Sequence, residues 1–329
     1  MSKQVKQTTK KLTGIQQGLV RPTSDIFTAM LFSAQKNEPV LRNFINAVMT
    51  DDRQPLIQEA MVLNPFSIKE FAVERQLVLD VRVRDEAHRW FNVEVQTWPH
   101  PAFCERMVLH WADQYASLLE TGDDFTKLRP VRSIVIAAFP IFPTLRNLRA
   151  TFEIRSRENP AVLLTDHFQM HFLRLGDMLK RQLEGLSELY GGLQHWMKFF
   201  AFADTTPEDK MSQLVENNQA VMTAYEELRR FSSDAKMRDL ERRRRRFLED
   251  QRIYVDAARD EGKAEGKAEG EAFGEVRGEI RATLKQRFKE IPQDIKDAIQ
   301  SMTDLVALES LLAHAETCLS LDEFADALK

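Results

Sequence analysis

The segment that decides the fold is Leu77–Gln96, which reads LVLDVRVRDEAHRWFNVEVQ. Apolar and polar residues alternate on both sides of its centre, and Asp85–His88 has the composition of a turn. This pattern predicts two antiparallel strands joined as a hairpin. Because apolar residues must align with apolar residues, the parity of the register is fixed. The pairs that satisfy it have numbers summing to 174, and they are Val83–Phe91, Val81–Val93 and Leu79–Val95.

This register places Asp80 directly opposite Glu94 on the polar face of the hairpin. The Cβ atoms of cross-strand neighbours lie about 5 Å apart. Two carboxylates at that separation repel each other unless a proton or a cation lies between them. A hard divalent cation such as Mg²⁺ prefers oxygen ligands of this kind. From these residues alone, a metal site and a pair of solvated acids both remain open.

Helices and further strands are predicted on both sides of the hairpin. Ser24 and Asp25 precede an apolar stretch with helical spacing, which indicates a capped helix. Other apolar patterns predict helices over Val40–Met49 and Phe103–Leu119, strands over Val131–Phe139, Phe152–Arg155 and His167–Leu173, and a helical stretch over Asp177–Gln251. Strands and helices alternating in this way predict an α/β core.

A glycine at every fourth residue marks the C-terminal part, from Gly262 to Gly278. Each glycine costs a helix about 1 kcal/mol relative to alanine. The segment 256–280 is therefore predicted to be a loose tether, in preference to a helix whose glycines allow close approach of another backbone. Arg281–Lys329 is predicted to form three short helices, one starting at Pro292 and the last capped by Ser320 and Glu323.

Composition and charge narrow the class of protein. The 46 Lys and Arg nearly balance the 50 Asp and Glu. No apolar run approaches the length of a membrane span, and residues 1–24 lack the apolar core of a secretion signal. A membrane protein and a secreted protein are therefore not expected. The two cysteines are 214 positions apart, which favours the reducing cytoplasm. Motifs of hydrolase triads, phosphate loops, dinucleotide sites and zinc proteases are missing from the sequence.

Basic and histidine clusters have two interpretations each. Residues 1–23 contain lysines and an arginine but no acidic residue. They are interpreted either as a solubilising arm or as a segment that contacts phosphate. Arg242–Arg246 is interpreted as a solvated helix, with phosphate contact as the alternative, because five consecutive residues go right around a helix. His167 and His171 are expected at the surface rather than on zinc.

The ordered set of motifs resembles the Rpn-type recombination-promoting nuclease family, a transposase-like family of the PD-(D/E)XK nuclease superfamily. The matching motifs are Ser24-Asp25-Ile26-Phe27, Leu31-Phe32, Phe44-Ile45-Asn46-Ala47, Leu79-Asp80-Val81, Phe91–Gln96, Arg106 through Trp111 to Tyr115, and Gly122–Phe125 leading to Pro130-Val131. His110 departs from the pattern, because it stands where the family often has tyrosine. The resemblance covers roughly residues 23–205. It implies a restriction-endonuclease-like α/β core, with a mixed central sheet flanked by helices, followed by a helical C-terminal extension.

The resemblance implies a metal-dependent DNA endonuclease with Mg²⁺, or Mn²⁺ or Ca²⁺, as cofactor and a role in recombination or with mobile DNA. Asp80 and Glu94 would hold the metal, together with the Val95 carbonyl oxygen. Gln96 occupies the place where many of these nucleases have lysine, and it can orient a water molecule but cannot supply charge. Arg106 and Arg75 would contact the DNA, and Asp25 is a possible extra acid.

These expectations divide the chain into five parts. They are a basic arm (1–23), a nuclease-like core (24–205), a helical extension (206–255), a glycine-repeat tether (256–280) and a small helical C-terminal region (281–329). Two alternatives to the nuclease stay open. One is a catalytically weak DNA-binding accessory protein of a mobile element, and the other is an oligomeric interaction protein that associates through its C-terminal region. A membrane partner is not expected.

Overall fold

The computed structural model of the chain describes residues 18–50, 55–66, 80–180, 189, 192–216 and 218–328. Within these residues, the strands form one six-stranded sheet in the order β1-β2-β3-β4-β6-β5. The strands are β1 (Met61–Val62), β2 (Val81–Arg84), β3 (Trp90–Gln96), β4 (Val131–Ala137), β5 (Arg149–Phe152) and β6 (Phe168–Arg174). The pairs β3–β4 and β4–β6 are parallel, whereas β1–β2, β2–β3 and β5–β6 are antiparallel. The predicted mixed sheet is therefore confirmed.

Helices cover both faces of this sheet. The α-helices of the described residues, numbered along the whole chain, are α1 (Asp25–Ser33), α2 (Glu38–Met49), α3 (Phe103–Ala116), α4 (Leu175–Lys180), α5 (Leu193–Phe202), α6 (Glu208–Leu214), α7 (Gln219–Ser233), α8 (Ala235–Phe288), α9 (Gln293–Ser301), α10 (Leu305–Thr317) and α11 (Leu321–Asp326). Those that pack on the sheet lie in the first part of the chain, among them α1, α2, α3, α5 and α7. The Ser24 hydroxyl accepts a hydrogen bond from the Phe27 N–H and so caps α1 as predicted.

The two faces of the sheet carry different cores. One face packs its apolar side chains, Val93 and Ile134 among them, against α1, α2, α5 and α7. The other face packs Val135 and Phe172 against Phe103 and Met107 of α3. Because side chains alternate along a strand, β4 and β6 contribute to both cores, with Ile134 and Leu173 in the first and Val135 and Phe172 in the second.

The hairpin of β2 and β3 has the predicted register. Val83 pairs with Phe91, and Val81 pairs with Val93. The turn between them is fixed by Asp85, whose buried carboxylate binds the Arg89 guanidinium at 2.6 Å and accepts the Arg89 N–H at 2.7 Å. Leu77–Leu79, and with them the predicted pair Leu79–Val95, lie outside the described residues, as do residues 1–17 of the basic arm.

Two strand-level expectations were wrong in detail. The strand predicted at Phe152–Arg155 is β5, which begins at Arg149, because the buried Ala150 pairs with Phe172 and the chain leaves the sheet after Phe152. His171 is not at the surface but fully buried in β6, where its Nδ1 lies 3.1 Å from the Thr151 hydroxyl. Burial, with smaller contributions from nearby arginines, lowers the pKa of His171 to about 3.

The predicted tether over 256–280 was also wrong, because α8 is one continuous helix of 54 residues through the glycine repeat. The residues between the glycines are mainly alanine, glutamate and lysine, which are strong helix formers. Oppositely charged neighbours such as Lys267 and Glu271 add to this, with 3.6 Å between Nζ and Oε1.

The C-terminal region has its own apolar core. The chain divides into two compact units between Arg246 and Phe247. In the second unit, Ile280 and Leu284 of α8 are buried with Ile299, Leu308 and Phe324 from α9, α10 and α11. Ser320 caps α11 as predicted, accepting the Glu323 N–H at 3.2 Å. Among the described residues, no helix is long and apolar enough to cross a membrane.

Candidate active site

Glu94 lies at the centre of a polar strip between β3 and α3. The side chains of Asn92, Glu94 and Gln96 point away from the core that contains Val93 and Val95. They therefore face α3, and the Glu94 residue is only 3% exposed. A carboxylate buried to this degree requires hydrogen-bond or ionic partners.

Glu94, Gln96 and Arg106 form a chain of hydrogen bonds. The Gln96 Nε2 donates to Glu94 Oε1. The Gln96 Oε1 in turn accepts a hydrogen bond of 2.6 Å from Arg106 Nη2. The structure thus brings together three residues that the sequence nominated, and it places the positive charge of Arg106 directly on the Gln96 amide.

His110 is a site residue that the sequence reasoning missed. Its Nδ1 lies 3.3 Å from Glu94 Oε2. The hydrogen bond to Glu94 is the largest effect on the pKa of His110 and raises it, while partial burial and Arg106 oppose the rise and Asp80 adds to it. The available signal was the spacing of Arg106 and His110, because residues four apart lie on the same face of a helix.

Asp80 stands immediately before β2, next to the pair formed by Val81 and Val93. Its Oδ2 accepts a hydrogen bond of 3.0 Å from Arg82 Nε, and its backbone carbonyl accepts one of 2.9 Å from Asn64 Nδ2. Asn64 also accepts the Arg82 N–H at 2.7 Å, so it fixes the entry to β2 from both sides. The Asp80 carboxylate is close enough to His110 to raise the pKa of that side chain.

The Val95 carbonyl points toward β2. The Trp90 N–H donates to Pro130, and the Gln96 carbonyl accepts from Ala138, so these residues direct their backbone groups to the β4 side. Backbone groups of successive residues in a strand alternate in direction, so Val95 directs its carbonyl to the opposite side. Asp80, which stands just before β2, lies on that same side of β3.

The donor set fits a hard divalent cation. Two carboxylates and a backbone carbonyl are the oxygen ligands that Mg²⁺ prefers, and Mg²⁺ usually keeps several waters or substrate oxygens as well. Among the described residues, no three His, Cys, Asp or Glu side chains converge as an all-side-chain metal cage. Asp80, Glu94 and the Val95 carbonyl would therefore form an open site, which a catalytic metal requires.

Two nominated residues remain, Arg75 and Asp25. Arg75 is outside the described residues. Asp25 at the start of α1 forms a largely buried ion pair with Arg244 of α8, with 2.8 Å between Oδ2 and Nε. Arg244 is the buried member of Arg242–Arg246, and its four neighbours in that run are exposed, so the interpretation as a solvated helix holds for all but one of the five.

The six-stranded mixed sheet with helices on both faces defines a class of protein, the α/β proteins with a PD-(D/E)XK-like fold. The mixed sheet carries its acids at the ends of β2 and β3, and a helix lies over the second acid. The family model for PD-(D/E)XK nuclease family transposases matches residues 22–258, and the chain belongs to that family. No curated protein and no solved structure matches the chain.

Proposed function

We propose that this protein is a metal-dependent DNA endonuclease that hydrolyses phosphodiester bonds and acts in recombination or with mobile DNA. The observation that carries the proposal is the buried Glu94, beside the end of β2 that presents Asp80 and in hydrogen-bond contact with Gln96 and His110. The family match supports a nuclease of mobile DNA. The cation, Mg²⁺ by preference and Mn²⁺ or Ca²⁺ as alternatives, belongs to this proposal.

Asp80, Glu94 and the Val95 carbonyl would hold the cation, which when bound lowers the pKa of a water molecule and neutralises charge on the phosphate. The Gln96 carbonyl oxygen has two lone pairs, and only one is needed for the bond from Arg106. The other can accept an O–H of the attacking water and so orient it. As the water oxygen bonds to phosphorus, the water gives up one proton to the solvent; the phosphorus–oxygen ester bond breaks, and the leaving oxygen takes up a proton from the solvent.

Arg106 supplies the positive charge that Gln96 lacks. Its guanidinium carries a permanent charge and several donors, so it can bind a phosphate oxygen while it contacts Gln96. His110 is a positioning residue in this proposal, because its bond to Glu94 fixes the second carboxylate oxygen. Arg75 remains proposed as a further phosphate contact.

Nicking of supercoiled plasmid tests the proposal. The wild-type protein is incubated with Mg²⁺, Mn²⁺ or Ca²⁺, and with EDTA. Glu94→Gln and Asp80→Asn keep the shape of each side chain and remove its charge. We expect cleavage that EDTA abolishes, and a loss of about 100-fold or more in both variants, because even outer-shell partners of metal ligands typically contribute about 10- to 100-fold.

The matched control is Glu105→Gln, which removes an exposed acid from α3 next to the site. It should cleave like the wild type. Equal cleavage by Glu94→Gln and the wild type would contradict the assigned site. Asp25→Asn and Arg244→Gln are compared in the same assay. A loss of cleavage in Asp25→Asn alone supports a role of Asp25 as an extra acid. An equal loss of cleavage in both variants assigns Asp25 to the ion pair alone.

Gln96 favours a second candidate function, a DNA-binding accessory protein that cuts poorly. Without a lysine at this place, activation of water depends more heavily on the cation. DNA binding in every metal condition, without cleavage in any, would support this candidate over the endonuclease.

A further inference from the structure

The loop at residues 140–147, here called the braced loop, starts beside the candidate active site. Ala137 at the end of β4 is the register partner of Gln96 in β3 and of Arg174 in β6. The loop then crosses the end of β6 and enters β5 at Arg149. Neighbouring strands are about 4.8 Å apart, so the loop covers the region about 5–15 Å from the end of β3.

A single buried guanidinium holds this loop. Arg174 has no exposed surface. Its nitrogens donate to four backbone carbonyl oxygens, those of Ile141 (2.6 and 3.0 Å), Phe142 (2.9 Å), Leu145 (3.0 Å) and Asn147 (2.7 Å). These bonds engage all five N–H donors that an arginine possesses.

Two neighbours of Arg174 complete the brace. Asp177 pairs with the guanidinium at 3.1 Å and accepts the Ile141 N–H at 2.9 Å. Gly176 lies so close to the start of the loop that a Cβ would be 2.2 Å from the Phe139 carbonyl carbon. Any larger residue at position 176 would displace the backbone there.

The loop backbone also carries local strain that its packing compensates. Phe142 has a φ of 50°, in the left-handed region that non-glycine residues avoid. Its ring packs against Phe152 and Phe172, with centroid distances of 5.0 and 5.1 Å. Burying an arginine is costly unless its charge is paired and all its donors are used. What this arrangement produces is an exposed loop tip with one fixed conformation.

The tip presents groups that suit DNA phosphates. Thr144, Arg146 and Asn147 are exposed there, and hydroxyl, guanidinium and amide groups provide many of the phosphate contacts in protein–DNA complexes. A fixed loop loses little conformational entropy on binding. One strand of duplex DNA rises about 3.4 Å per phosphate. A tip about 10 Å from the catalytic acids would therefore reach phosphates about three nucleotides from the bond that is cut.

We propose that the braced loop is a second DNA contact, in which Arg146 binds the phosphate backbone on the β5 side of the cleaved bond and Arg174 is the positioning residue. This inference rests on the proposed function. It assigns no base recognition to the loop, because phosphate contacts carry no sequence information.

Fluorescence anisotropy with a labelled duplex tests the contact on the full chain in EDTA, from 50 to 200 mM KCl. For Arg146→Gln we expect a Kd several-fold above the wild-type value, and a slope of log K against log salt that is smaller by about 0.9, the value of one phosphate contact. The matched control is Arg129→Gln. Arg129 is exposed just before β4, at the opposite end of this strand from the braced loop, and its loss should change neither quantity.

Arg174→Lys tests the brace, since it keeps the charge but replaces the planar fork of five donors by a shorter-reaching ammonium group with three. It should weaken binding about as much as Arg146→Gln, and the double variant should lose little more. If Arg174→Lys does not fold, Arg146→Gln alone decides. An unchanged Kd and salt slope in Arg146→Gln, with wild-type DNA cleavage intact, overturns the inference and leaves the proposed function standing. A wild-type protein that neither binds nor cleaves DNA overturns both.

Discussion

Gln96 stands where many nucleases of this superfamily carry a lysine, yet a positive charge lies against it. The Arg106 guanidinium reaches the Gln96 amide from α3, 2.6 Å from its oxygen. A lysine at position 96 would present its ammonium group from the strand itself. The site therefore has a positive charge beside position 96, although that charge comes from α3 and not from β3.

This view predicts a rescue. Arg106→Gln should lower the single-turnover rate of plasmid cleavage, because the site then lacks a permanent charge beside Gln96. Adding Gln96→Lys to Arg106→Gln should restore part of the rate, since the lysine returns a charge from β3. Arg84→Gln, on β2 and away from the proposed site, is the control. A double variant as slow as Arg106→Gln would show that the guanidinium is needed for its own geometry.

The acids of the site could be predicted from the sequence, but their partners could not. Asp80 and Glu94 follow from alternation and from the parity of a hairpin register, which are local properties. The contacts of Glu94 with His110 and of Gln96 with Arg106 depend on which turn of α3 lies over β3. Residues 97–102 set that placement through their path in three dimensions, and no spacing in the sequence encodes it.

At the scale of whole elements, the same local reasoning failed at α8. Five glycines at intervals of four would destabilise an isolated helix, and this argued for a tether. The continuous helix shows that the intervening alanines, lysines and glutamates outweigh that cost. At each of the five positions, no heavy atom of the described residues lies within 4 Å of the place that a Cβ would occupy.

The open space around these glycines predicts that alanine is tolerated and stabilising. Gly266→Ala with Gly270→Ala should raise the helical circular dichroism signal, with a gain of about 1 kcal/mol in helix stability per site. Ala264→Gly with Ala268→Gly is the inverse control on the same exposed stretch and should lower it. If the alanine variant instead loses stability, or its mass in solution falls, another helix packs against the glycines and the oligomeric alternative gains support.

At the scale of the whole molecule, the site and the C-terminal core belong to different units. Asp80, Glu94 and Arg106 precede the division after Arg246, and the core around Ile280 and Phe324 follows it. The family match ends at residue 258, twelve residues beyond that division. The chain thus carries a helical unit with its own apolar core, most of which lies outside the matched region.

This division predicts that a chain ending at Ala258 keeps metal-dependent cleavage at a rate close to that of the full chain. Among the residues that the structure describes, the core that positions β2, β3 and α1 has no member beyond Leu240, so we expect its packing not to depend on the removed residues. Thermal unfolding of the shortened protein controls for loss of the fold, and Glu94→Gln in the same background controls for contaminating nuclease. Light scattering on the full and the shortened protein tests the proposed homo-oligomer. If the mass in solution falls by more than the mass of the removed residues, the contacts between subunits lie beyond residue 258. Loss of cleavage in a shortened protein that still unfolds cooperatively and keeps its mass would contradict the prediction, because the C-terminal unit would then take part in the reaction itself.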